Sequence, residues 1–296
     1  MSTLTEPRIL PGIDRRENLS LKEFEREYLL PLRPVVITDA LKAWKPLGRW
    51  TPDFFQQKFG DRLVNIDGAK RPLGPFLDEV LASTADHPAP YLRNEILKDV
   101  FPELADEIHP LPPYLQLNWL TQSFSPAETK ILQRLSAAEI YIGGAGRSFP
   151  VVHFDYLHTN AFLMQLHGRK QYYVAGPDQT PFMYPVPNDP NRSQVNDVLD
   201  PDLERFPLFA KAEGHSFTLD ARETLFIPSG WWHTVRILSP SITVSVNTAN
   251  RANWGKLRAD FCRIHVHGRG RKLLLGAYLQ LVGIMSSMSE AFGGTR

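Results

Sequence analysis

A chain of 296 residues, 43% apolar and 11% aromatic, can bury one large core or two small ones. Its 33 Lys and Arg against 32 Asp and Glu leave a formal charge of +1, which excludes a global field for gripping nucleic acid or an anionic membrane. The single cysteine, Cys262, excludes an intramolecular disulfide framework and any thiolate-rich zinc or iron–sulfur site, so a reducing cytoplasm is the expected compartment.

The first twenty residues lack the continuous apolar core of a secretory signal. Ser20 and Glu23 form a capping-box pattern that predicts an N-terminal helix carrying Phe24, Tyr28 and Leu29. Pro34 to Thr38 (PVVIT) reads as a short buried strand. Thr51-Pro52 then supplies a cap and an N1 proline for the helix DFFQQKF, which Gly60 stops. From Pro72 to Ser136 the chain is proline-rich with helix-like pieces, including a second capping box at Ser125-Pro126-Ala127-Glu128. From Glu139 the pattern changes to eight short runs of β-branched, aromatic and alternating residues, EIYIG, PVVHF, NAFLMQLHG, KQYYVAG, HSFTLD, ETLFIPS, HTVRIL and SITVSVN. Eight strands separated by Gly, Pro, Asn and Asp turns predict a sandwich or barrel. One connection, Pro177 to Gly214, is long enough to act as a functional cover. After Asn250 two helices are expected, WGKLRADFCRIHVHG and RKLLLGAYLQLVGIMSSMSEAF. The richest apolar run, Leu273 to Met285, reads as too short to span a bilayer.

His153 and Asp155, two apart in VVHFDY, leave an extended strand on the same face and can share one ion. His233 lies eighty residues further on in IPSGWWHTV, at the start of another predicted strand. Two neutral imidazoles and one carboxylate occupy one face of an octahedral metal and leave three positions open, the non-heme iron(II) oxygenase arrangement. Zinc accepts the same donors, so the ligand set alone does not choose the metal. H-x-D is a short motif, and its weight comes from two predicted strands and an intervening lysine. Trp231 and Trp232, beside His233, read as plain core.

These residues resemble the cupin-like JmjC family of iron(II)- and 2-oxoglutarate-dependent oxygenases, and within it the asparaginyl hydroxylase branch of factor inhibiting hypoxia-inducible factor. HFDYLHTNAFLMQLHGRKQYYVAGPDQTPFMYP, SQVNDVLDPDLERFPLF, LFIPSGWWHTV and ITVSVN carry the likeness in order, from about Tyr91 to Asn250, with a weaker echo in PVVITDALKAW. The resemblance implies a mainly β fold with flanking helices: a double-stranded β-helix (jelly-roll) with N- and C-terminal helical segments. It divides the chain into an N-terminal helical and strand segment (1–90), the catalytic barrel (91–250) and C-terminal helices (251–296). It implies that His153, Asp155 and His233 bind iron and carry catalysis. Lys170, seventeen residues after His153, would pair with the distal carboxylate of 2-oxoglutarate. Tyr91 would hydrogen-bond the same carboxylate, and Asn160 and Asn247 would lie beside the co-substrate. The implied activity is a dioxygenase that hydroxylates a C–H bond, with iron(II) as cofactor and 2-oxoglutarate and dioxygen as co-substrates.

Departures fall around the co-substrate and the substrate. Where the hydroxylase has a threonine before its metal strand, this chain has Phe149-Pro150, with Ser148 and Thr159 the nearest hydroxyls. It also has an extra residue between Asp155 and Asn160. Tyr184, Asn191, Arg192 and Gln194 of the long insertion resemble the segment along a bound polypeptide, so a protein or peptide substrate is expected, with a small metabolite as the alternative. A zinc- or ligand-binding barrel without oxygen chemistry is the alternative from another class. Between Arg251 and Lys272 seven Lys or Arg face one acidic residue, Asp260, which reads as a solvated helix face rather than a nucleic-acid contact. Leu273, Leu274, Leu275, Tyr278, Leu279, Leu281, Val282 and Met285 give the last helix a broad apolar face. With the C-terminal helix pairing of the hydroxylase, this implies a homodimer; no membrane partner is expected.

Overall fold

The computed structural model describes residues 7–122 and 126–291. After two short strands, β1 (Arg8–Pro11) and β2 (Arg15–Arg16), the capping box forms as the sequence predicts. Ser20 Oγ accepts from the Glu23 N–H at 3.2 Å and the Glu23 carboxylate accepts from the Ser20 N–H at 3.0 Å, opening α1 (Leu21–Phe24). The chain continues through a wide turn, Glu25–Leu29, to β3 (Val35–Ile37), buried on both faces, as a run without polar alternation must be. Thr51 caps α2 (Pro52–Phe59) by accepting from the Phe54 N–H at 3.2 Å. The hairpin β4 (Leu63–Ile66) and β5 (Ala69–Pro72) leads to α3 (Leu73–Ala82). The proline-rich stretch holds α4 (Leu97–Val100), α5 (Lys130–Leu135) and several 3-10 turns, but it also holds β6 (Tyr91–Ile96) before α4. The helical pieces are as expected; β6 was hidden because a bulge between Leu92 and Glu95, with Asn94 in the left-handed region (φ 58°), breaks the period-two alternation of YLRNEI. The second capping box, at Ser125, lies outside the described residues.

Seven of the eight expected strands form, beginning with β7 (Glu139–Gly143), β8 (Asn160–His167) and β9 (Lys170–Ala175). The long connection is ordered around a small hairpin, β10 (Pro185–Val186) and β11 (Asp189–Ser193). Then come β12 (Glu213–Leu219), β13 (Thr224–Ile227), β14 (Trp232–Ile237) and β15 (Ser241–Thr248). The chain alternates between two sheets, one in the order β2-β3-β13-β8-β15-β7-β6 and one in the order β1-β12-β9-β14. The pairings from β7 through β15 within these two sheets are antiparallel, giving the jelly-roll of a double-stranded β-helix. The outer face of the larger sheet, Phe162 and Met164 with Phe226 and Val244, packs on Phe24, Phe55, Trp50 and Leu77 from the N-terminal helices and loops. Its inner face is left to line a cavity.

PVVHF is not a regular strand. Pro150 has no N–H to give the ladder, and the segment pairs with β14 only at isolated positions, described below.

The chain ends in α6 (Trp254–His265) and α7 (Arg269–Ala291). Leu275 and Leu279 are buried against α6, and the Trp254 indole donates to the Leu279 carbonyl at 2.9 Å. The opposite face is bare: Leu274 is 76% exposed, Leu281 59%, Ile284 46% and Met288 54%. The expectation that this run is too short to cross a membrane needs correcting. The helix runs on through Ser286 and Ser287, and over Arg269–Glu290 it is long and apolar enough to cross by length and composition.

Candidate metal centre

The inner faces of the two sheets enclose a cavity of about 410 Å³. The period-two rule decides what enters it. Tyr141 and Glu139 of β7 stand opposite Thr243 and Ser245 of β15, and all four line the wall with Asn247, Ala161 and Leu163. The smaller sheet contributes Lys170, Tyr172, Val235 and His233.

Between β7 and β8 the chain runs along β14. The Phe149 N–H donates to the Val235 carbonyl at 2.8 Å, a register that would set Val151 opposite His233. The chain bulges at Phe149-Pro150-Val151 instead, and pairing resumes at His153. Its N–H donates to the His233 carbonyl at 3.0 Å, and its carbonyl accepts from the His233 N–H at 2.7 Å. On the far side β11 closes the edge, with the Phe154 N–H donating to the Asn191 carbonyl at 3.0 Å. The bulge therefore places two imidazoles from distant sequence side by side, their ring centroids 4.4 Å apart. Asp155, two residues on and still extended (φ −62°, ψ 144°), completes the group: one ligand atom from each of the three side chains lies within 4.8 Å of the others.

The environment suits a cation held by neutral rings. Burial first, and the neighbouring His233 second, push His153 well below the ordinary histidine range, so its ring is neutral. His233 Nδ1 sits 3.0 Å from the Trp231 carbonyl, which can only accept, so Nδ1 carries the proton and Nε2 keeps a lone pair. Burial raises the Asp155 carboxyl, an effect His233 partly opposes. His153 Nδ1 is buried with no hydrogen-bond partner among the described residues. An orphaned ring nitrogen beside a desolvated carboxylate is costly for a protein alone and is what a bound metal ion would repay.

Lys170 is the second charge of the cavity. It is 1% exposed and donates to the Tyr91 hydroxyl at 3.2 Å, with its ammonium 5.5 Å and 5.8 Å from the ring centres of Tyr91 and Tyr141. It makes no ion pair among the described residues, and burial lowers it from 10.5 to about 7. It stands opposite Ile237, four residues beyond His233 on β14, or roughly 13 Å along the strand. The cavity thus has a ligand triad at one end and an ammonium without a counter-ion at the other.

Of the other residues singled out in the sequence, Tyr91 and Asn247 line the cavity, and Asn247 donates to Thr159 Oγ1 at 3.2 Å. Asn160 does not line it. It precedes Ala161 on β8 and so faces the other way, where its Oδ1 accepts from the Ser229 N–H at 2.9 Å and supports the turn before His233. Phe149, in place of a hydroxyl residue, stacks on His153 at 4.9 Å. Asn191 and Arg192 of the insertion reach the cavity, while Tyr184 packs on Phe206 and Gln194 bonds the Pro185 carbonyl. Trp232 is core, its indole donating to Thr180. Sequence reading missed Glu139, Tyr141 and Tyr156 as cavity residues. The alternation in EIYIG was the available signal for the first two, because its polar positions share the face of Gly143, opposite Tyr91.

Two facing sheets, antiparallel from β7 through β15, with two histidines and an aspartate converging at one end of the enclosed space, define a cupin barrel whose residues could hold one metal ion. The cupin-like domain family matches residues 21–249, and the chain belongs to it. Human HSPB1-associated protein 1 is 38% identical over 125 residues, 41% of this chain and 24% of that protein. Lysine-specific demethylase 8 of Xenopus tropicalis is 30% identical over 239 residues, 76% of this chain and 50% of that protein. tRNA wybutosine-synthesizing protein 5 of Gallus gallus is 27% identical over 268 residues, 80% of this chain and 76% of that protein. These relatives place the chain in the cupin-like JmjC family of iron(II)/2-oxoglutarate oxygenases. The chain spans about a quarter of the first of these relatives and half of the second.

Proposed function

We propose that this chain is an iron(II)- and 2-oxoglutarate-dependent dioxygenase that hydroxylates a protein or peptide side chain. The observation that carries the reading is Lys170, a buried ammonium without a counter-ion in the cavity of the His153, Asp155 and His233 triad. A zinc hydrolase or a passive binding barrel has no use for that charge, whereas a dicarboxylate bound between the metal and the ammonium uses both ends. His153, Asp155 and His233 would hold the iron, and Lys170 with Tyr91 would hold the distal carboxylate of 2-oxoglutarate. When bound, the metal and co-substrate supply dioxygen activation coupled to oxidative decarboxylation. The chain's own work is to orient, to keep the rings neutral and to exclude bulk water with Phe149, Tyr141 and Tyr172.

Asn191 and Arg192 favour a polypeptide over a metabolite, because they bring an ordered insertion to the cavity and so extend it into a surface a chain can lie along. The unpaired face of α7 supports a homodimer: Leu274, Leu281 and Met288 recur every seven residues, with Ile284 between, the spacing that pairs helices. The testing experiment incubates iron-loaded protein with 2-oxoglutarate under air and measures succinate and 2-oxoglutarate binding, with Asp155→Ala and Lys170→Ala as controls. Turnover or binding that is lost in both variants is the expected result. Wild-type protein that neither binds nor turns over 2-oxoglutarate, or binding indifferent to Lys170, refutes the proposal.

A further inference from the structure

The turn that follows Asp155 is held from outside the barrel. Asp155 leaves the sheet extended, and then two side-chain-bearing residues in succession, Leu157 (φ 54°) and His158 (φ 53°), take the left-handed backbone conformation. Each such residue costs roughly five- to thirtyfold in equilibrium terms, and a bulky leucine is a clear outlier there. The turn's own bonds are few: the His158 N–H donates to the Asp155 carbonyl at 3.1 Å, and the Thr159 N–H and Oγ1 both donate to the Tyr156 carbonyl, at 3.3 Å and 3.1 Å.

Phe154 packs on the His158 ring at 4.8 Å, and among the described residues every side-chain hydrogen bond from another element to Tyr156, Leu157 or His158 comes from α6 or the loop just before it. His158 Nδ1 meets Asp260 Oδ2 at 2.6 Å, and Arg263 fixes Asp260 from the same helix at 2.9 Å. Asn253 Nδ2 donates to the His158 carbonyl at 2.8 Å, and the Tyr156 hydroxyl bonds His265 Nε2 at 2.7 Å. Leu157 is buried in a cluster that holds Trp254, Leu257 and Phe261 of α6 together with Trp119, Leu120 and Leu132. These contacts tie to α6 all three residues following Asp155.

Resting on the metal reading above, we infer that α6 is a working part of the metal centre, with Asp260 and His265 as positioning residues that hold the Tyr156–His158 turn, with its left-handed Leu157 and His158, and so aim the Asp155 carboxylate at the site of His153 and His233. Burial of Leu157 alone would make the polar contacts dispensable, and the two accounts part at a measurable point.

The test titrates the full chain with Mn(II), the redox-quiet probe of an iron(II) site, by electron paramagnetic resonance at one pH, and records melting temperature separately. Asp260→Ala and His158→Ala should each weaken Mn(II) binding about tenfold, the size of one left-handed residue released. Asp260→Asn, which keeps an acceptor for the ring, should stay within about threefold. His158→Gly loses the same contact as His158→Ala but relieves the backbone cost, so it should bind Mn(II) distinctly more tightly than the alanine variant. Unchanged affinity in Asp260→Ala with only a lower melting temperature, or a glycine variant no better than the alanine one, overturns the inference. A wild type that does not bind Mn(II) overturns the metal reading itself and this inference with it.

Discussion

Replacing Lys170 by Met should make the protein more stable while abolishing its capacity for 2-oxoglutarate. Burial lowers the ammonium from 10.5 to about 7, which corresponds to a penalty of about 5 kcal/mol on the charged form. Methionine keeps the length and apolar stem of lysine and removes the charge. Against that gain stand the lost hydrogen bond to Tyr91, about 1 kcal/mol, and the water that a cavity of this size admits to the ammonium. A net gain of about 2–3 kcal/mol remains, which for a domain of this length raises the melting temperature by roughly 5–10 °C. Thermal denaturation at pH 7 checks the first half, and the same scan with millimolar 2-oxoglutarate checks the second. The ligand should raise the melting temperature of the wild type and leave that of Lys170→Met where it was. A variant that melts lower than the wild type, or that 2-oxoglutarate still stabilises, would refute the reasoning, because the first result means the ammonium is already compensated without a carboxylate and the second that the ligand is held without the ammonium.

The same lysine sets a pH dependence. Its folded value lies below its unfolded one, so the penalty on the unliganded protein is greatest below pH 7 and fades as pH rises to 10.5, where the unfolded chain also loses the proton. Binding a dicarboxylate restores the ammonium, so 2-oxoglutarate affinity should fall up to about tenfold per pH unit above 7, with uptake of about one proton at pH 8.5, read by calorimetry in buffers of different ionisation enthalpy; pH-independent affinity between 7 and 9 would contradict this. Gly143→Ala should loosen the closed end of the cavity, since its Cβ would meet Ile237 Cδ1 at 2.5 Å and Tyr91 Cδ2 at 2.8 Å. The expected loss is about 1–3 kcal/mol in denaturant titration, with weaker 2-oxoglutarate binding as Tyr91 is displaced. Leu281→Lys on the bare face of α7 should convert a dimer to a monomer in sedimentation equilibrium without changing 2-oxoglutarate binding, and a wild type already monomeric at micromolar concentration removes the dimer proposal.

What the sequence discloses and what it conceals divide along a physical line. His153, Asp155 and His233 were legible because imidazoles and a carboxylate are expensive where a strand pattern puts them and point to a shared use, whereas Lys170 entered through likeness to the family, since a strand lysine by itself reads as solvent-facing. A sandwich or barrel was legible from the short β-branched, aromatic and alternating runs between Glu139 and Asn247, while its jelly-roll topology entered through likeness to the family. Asn160 was misplaced because its assignment rested on likeness in chain order, while the pleat turns its side chain to the opposite face from Ala161, toward Ser229. The bulge at Phe149-Pro150-Val151 was invisible because a proline announces an irregular edge without saying how many residues it will take up. Here it takes up two, and those two decide that His153 rather than Val151 faces His233.

The turn after Asp155 is the most concealed element, since nothing in YLH advertises two left-handed residues. Glycine or asparagine would have marked them. A sequence can leave such positions unmarked only when tertiary contacts outweigh the local cost, and those contacts come from Asn253 to His265, a hundred residues away. An unmarked left-handed pair therefore carries information of its own: it identifies α6 as a helix on which the metal-side turn depends, even though α6 contributes no ligand and lies outside the barrel.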